Sequence, residues 1–70
     1  MQNRIKRLAK VLIFVKPDVI QFQTGYQLGD CEELIGIAES VGSIAVPIVG
    51  EGYWKIDNPL IKLLEDAKNL

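Results

Sequence analysis

Cys31 is the one thiol in the chain, and Asp30, Glu32 and Glu33 stand beside it. A thiol in the first turn of a helix can be activated, because the helix dipole stabilises the thiolate. Here the neighbouring carboxylates act in the opposite direction. The chain has no histidine to serve as a base, so a Cys–His nucleophile cannot be assembled. The acids do not form a cation site, since a calcium loop spaces its oxygens through a glycine turn. One cysteine without histidine leaves no zinc ligand set. A simpler use is capping: Asp30 as a helix N-cap, with Glu33 three residues on. The loop from Gly25 to Gly29 leads into that helix, where free N–H groups can hold phosphate. Its spacing matches neither the dinucleotide nor the P-loop pattern, and the acidic first turn opposes an anion. The expectation is a protein without catalytic residues, cofactor or metal.

Two other groups of residues are suited to recognition. Arg4, Lys6, Arg7 and Lys10 carry the positive charge of the N-terminal segment, with Arg4, Arg7 and Lys10 three apart along one helical edge. They suit an anionic partner, nucleic acid included, held by salt-sensitive contacts indifferent to sequence. The second group is Ile44, Val46 and Ile48 with Tyr53 and Trp54. Pro47 removes a ladder donor, which places that strand at a sheet edge open to strand addition. Tyr53 and Trp54 follow two glycines and form an aromatic rim. Neighbouring strand residues point to opposite faces, so Trp54 is expected packed and Tyr53 displayed.

The elements that position these groups follow from periodicity. Residues 1–10 read as a basic arm or short helix, and 11–70 as a single domain. Val11–Val15 is a β-branched and aromatic run suited to a buried strand. A helix from Asn3 to Val15 competes, through Ile5, Leu8, Leu12 and Val15. Lys16-Pro17-Asp18 breaks the pattern, and Val19–Gln23 alternates as a second strand. Leu34, Ile35, Ala38 and Val41 form a helical stripe, ended by Gly42. Ser43–Val49 is a third strand, Gly50-Glu51-Gly52 a turn and Tyr53–Ile56 a fourth strand. Asp57 caps a last helix with Pro59 in its first turn, whose stripe is Leu60, Leu63, Leu64 and Ala67. The predicted fold is α+β: a small two-layer domain with a three- to four-stranded, mostly antiparallel sheet. Two helices cover one face in the order β-β-α-β-β-α, with or without an N-terminal helical turn.

Composition points toward association. A chain of 70 residues buries only about 60% of its unfolded surface, and no disulfide is available to compensate. Yet 49% of the residues are hydrophobic, or roughly 58% with the six glycines, above the ~45–50% of ordinary domains. Residues 1–16 hold five cations and no acid, and 17–70 hold three lysines against nine acids. No apolar run approaches the ~20 residues of a spanning helix, and the start lacks the layout of a secretory signal. These features predict a cytoplasmic, non-enzymatic interaction or regulatory module that forms homo-oligomers and binds another protein. The alternative is a nucleic-acid-binding protein acting through its basic segment.

Overall fold

The computed structural model describes residues 2–69. Its elements are α1 (Gln2–Lys10), β1 (Leu12–Lys16), β2 (Val19–Phe22), α2 (Leu28–Ser40), β3 (Ala45–Pro47), β4 (Tyr53–Ile56) and α3 (Asn58–Lys68). The four strands form one sheet in the order β1-β2-β4-β3, antiparallel at every pairing. The α+β class, the four strands and the element order are therefore as predicted. Of the two readings of the N-terminal segment, the short helix is the one formed, and it joins the other two helices over the sheet.

The competing readings of residues 3–15 are each half realised. Ile5, Leu8 and Ala9 lie one turn apart and are all buried in the common core, which anchors the basic segment as a helix. The β-branched run then ends that helix, and the chain turns at Val11, whose N–H donates to Leu8 O at 3.1 Å. Helix α1 packs against α3 and more lightly against α2. Ile5, Leu8 and Ala9 of α1 thus belong to the same core as the sheet and the other two helices.

β1 and β2 form a hairpin closed by Pro17-Asp18, with a bulge between Phe14 and Lys16. Register aligns Leu12 with Phe22, Phe14 with Ile20, Ile20 with Trp54 and Ile56 with Ala45. These residues all project toward the helices, and Leu12, Ile20, Phe22, Trp54 and Ile56 are buried. Phe22 stacks on Tyr26 at 5.0 Å and meets Trp54 edge-on at 6.4 Å. Gly52, at φ 76°, lets the chain pass close to this group: a Cβ there would sit 3.2 Å from the Tyr26 ring.

Helix ends show where local reading slips. α2 begins at Leu28, so Gln27 is its N-cap and Asp30 its third residue. Asp30 still satisfies a free donor, accepting from the Gln27 N–H at 2.9 Å, but Glu33 turns to Arg4 instead. The buried stripe is Leu34, Ile37 and Ala38, while Ile35 and Val41 are exposed. Gly42, at φ 71°, ends the helix as expected. Its N–H donates to Glu39 O and that of Ser43 to Ala38 O, the paired bonds of a Schellman turn. Asp57 stands at the N-cap of α3 with Pro59 following, but its side chain makes no capping bond. The α3 stripe is Leu60, Ile61, Leu64 and Ala67, with Leu63 only partly buried.

Candidate functional site

The three helices lie on one side, and among the described residues no layer covers the opposite side of the sheet. Alternation and register set its occupants in two rows. Ile13, Gln21 and Tyr53 form one, and Val19, Lys55 and Val46 the other. The Ile48 N–H donates to Tyr53 O at 3.0 Å, which extends the first row to Ile48. Ile44 continues the alternation before β3, and on β1 the bulge sets Val15 next to Lys16, the residue paired with Val19. Solvated sheet faces ordinarily carry polar side chains. Here Ile13 is 44% exposed, Val15 43%, Ile44 62%, Val46 49% and Ile48 39%. Two apolar rims, on β1 and β3, flank a centre of Val19, Gln21, Tyr53 and Lys55. The charge of Lys55 is matched by Asp18, 3.9 Å away at the row end.

Both edges of the sheet are guarded. Ile48 bonds inward to β4, so the backbone of Ala45 and Pro47 faces out. Pro47 has no N–H, and the Ser43 N–H is already bound to Ala38 O at 2.8 Å. Along residues 43–47, only Ala45 retains an outward donor. On β1, Val11 O accepts from the Gln23 N–H, which turns the backbone N–H and C=O groups of Leu12 and Phe14 outward. Lys68, from the last turn of α3, donates its Nζ to Leu12 O at 2.7 Å and lies 5.1 Å from the Phe14 ring centre. Proline and lysine are standard means of blunting edges against another strand.

Of the residues singled out for protein contact, Ile44, Val46, Ile48 and Tyr53 come together on the open face. Trp54 does not join them, being buried among Phe22 and the helices. The β1 half of the face, Ile13 and Val15, was overlooked because the Val11–Val15 run reads as fully buried. Its sequence signal was the odd-position alternation against Leu12 and Phe14.

The basic residues lie on the far side of the molecule. Arg4 bonds Glu33 on α2 at 3.2 Å. Lys6, Arg7 and Lys10 line one shallow depression with Asn3. Cys31 is half buried against the core. Burial, then the charge of Asp30 and of Glu32, pushes its thiol above the ordinary value, against one backbone hydrogen bond that lowers it. This is an inert thiol's environment. Among the described residues no His, Cys, Asp and Glu cluster is arranged for a metal ion, and no helix is long and apolar enough to cross a membrane.

No family model matches the chain, and no curated protein or solved structure matches it.

Proposed function

We propose that this domain is a small non-enzymatic interaction module that self-associates by packing its open sheet face on that of a second copy. The observation that carries the reading is an uncovered apolar face on a sheet whose edges are both blunted. Strand addition at β3 is left little backbone to use, so Ile44, Val46, Ile48 and Tyr53 act through the face.

The partner is a second copy for three reasons. The charge of Lys55 within the face is matched by Asp18, 3.9 Å away, and the other cation of that row, Lys16, stands at its outer end on β1. The net charge of the chain is only −1, so copies repel weakly. The strand order also suits a two-fold axis parallel to the strands: β1 of one copy then lies over β3 of the other. Rim covers rim, and the central Gln21 lies across from Tyr53. The product is a β-sandwich with helices outside.

Four strands about 4.8 Å apart give a footprint of roughly 300–400 Å² per copy. That is about half of the ~800 Å² per partner in a standard interface, so the pair is weak and reversible. A cytoplasmic setting, with Cys31 reduced, and a regulatory use of this reversibility belong to the same reading. Sedimentation equilibrium from about 10 µM to 1 mM tests it: the wild type rises toward dimer mass, and Val46→Asp stays monomeric. A wild type that remains monomeric at 1 mM would remove the proposal.

A further inference from the structure

We infer that the crest of α1 is a binding site for the phosphodiester backbone of nucleic acid, through Lys6, Arg7 and Lys10. The inference is independent of self-association, because the crest lies on the helical side and the open sheet face on the other.

Asn3, Lys6, Arg7 and Lys10 are spaced i, i+3, i+4 and i+7, a single stripe opposite the buried Ile5, Leu8 and Ala9. They alone line a shallow surface depression with no carboxylate among them. Among the described residues the ion pairs are Arg4–Glu33 and Lys55–Asp18, so the three crest cations have no acidic partner within bonding distance. Arg4 is drawn toward α2 and is not part of the set.

The crest offers charge alone, with no apolar or aromatic side chain to bury. A bilayer would require an apolar face to insert, yet that face of α1 is in the core, with Leu8 3% and Ala9 0% exposed. A partner that responds to charge alone is one whose own charge density is high. Nucleic acid is such a partner, and successive turns of α1, 5.4 Å apart, present cations to successive phosphates. Asp30 and Glu33 beside Arg7 oppose insertion into a groove. Contact is therefore confined to the backbone and indifferent to sequence.

The test is fluorescence anisotropy of a labelled 20-base-pair DNA duplex against the full chain, at 20 to 200 mM NaCl. Three phosphate contacts give a log–log salt slope of about −2.7, so affinity falls about 40-fold between 50 and 200 mM. Lys10→Gln, a mild change on a solvated side chain, should reduce the slope by about 0.9. The Lys6→Gln/Arg7→Gln/Lys10→Gln variant, with unchanged circular dichroism, should lose binding, and Lys55→Gln should retain it. No binding at 20 mM, or equal binding by the triple variant, would overturn the inference. So would binding to phosphatidylserine vesicles without binding to the duplex.

Discussion

Replacing Val46 by Asp addresses the open face directly, because its effects on the single chain and on the pair separate. Val46 sits on the edge strand β3 and is 49% exposed. A polar residue there is compatible with the monomer, and surface changes of this kind cost about 0.5 kcal/mol or less. In the pair, the five rim side chains of each copy, 39–62% exposed, become covered. Covering a half-exposed Val or Ile contributes about 1 kcal/mol, hence about 10 kcal/mol for the pair. Lost translational and rotational freedom costs roughly 4–15 kcal/mol. At the lower end of that cost the net is about −4 to −6 kcal/mol, a dissociation constant of about 40 µM to 1 mM. A two-fold interface receives the substitution twice. Even about 1.5 kcal/mol per copy, from a lost contact and a half-desolvated carboxylate, weakens the pair about 150-fold and leaves a monomer throughout. The assay is sedimentation equilibrium, with thermal melts to show that the fold is intact. Ile35→Asp supplies the control: Ile35 is 40% exposed, but on α2. The reasoning is refuted if Val46→Asp associates like the wild type, or if Ile35→Asp abolishes association equally.

The packing also sets the outcome at Leu8, at two glycines and at Cys31. Leu8 is 3% exposed, so Leu8→Ala should cost about 2–5 kcal/mol in urea unfolding, most of what a domain of this size holds. A loss below about 0.5 kcal/mol would make α1 an appendage. Gly50, at φ 115°, would place a Cβ 2.6 Å from the Tyr53 ring, so Gly50→Ala should destabilise by about 1–3 kcal/mol. Gly36→Ala, in the α2 interior with open space around it, should stabilise by up to about 1 kcal/mol; the same sign for both would contradict the geometry. The Cys31 thiol is raised by burial and by Asp30 and Glu32, so iodoacetamide at pH 8 should alkylate it more slowly than a free cysteine peptide. A raised folded pKa gives stability that is complete below the unfolded thiol's pKa and is lost as pH rises through the folded one. Cys31→Ala should remove that part of the alkaline decline.

What could be read from the sequence was what depends on near neighbours. The β1–β2 hairpin is bounded by Pro17, the end of α2 by Gly42 and the edge position of β3 by Pro47, each a backbone rule carried by one residue. The start of α2 was misplaced because an acid three residues into a helix and an acid at its N-cap look alike in sequence. Asp30 does the capping work from the other position. The α1 helix was equivocal because Ile5, Leu8 and Leu12 suit one long helix while Val11–Val15 suits a strand. What settles it is burial against α3, a contact between opposite ends of the chain. The same holds for Lys68, whose partner Leu12 lies 56 residues away. The open face was legible residue by residue in Ile44, Val46, Ile48 and Tyr53. That no layer covers it depends on where three helices go, which periodicity does not encode.

A rival account gives the open face no partner: Val and Ile occupy its outward positions because β-branched residues favour strands. Threonine separates the two, since it is β-branched with comparable strand propensity but carries a hydroxyl in place of a methyl group of Val or the ethyl group of Ile. If propensity alone placed these residues, Ile13→Thr/Val46→Thr would leave both stability and association as they were. If the face is an interface, the pair of substitutions should cost the monomer little, because Ile13 and Val46 are 44% and 49% exposed. Each copy would still lose apolar contact at both rims. At about 0.5–1 kcal/mol per site and four sites per dimer, the dissociation constant should rise at least about 30-fold. The guarded edges favour this second outcome. A sheet that needed only its strands would have no use for covering Leu12 O with Lys68. A sheet that meets its partner face to face benefits from having the competing edge-to-edge route closed.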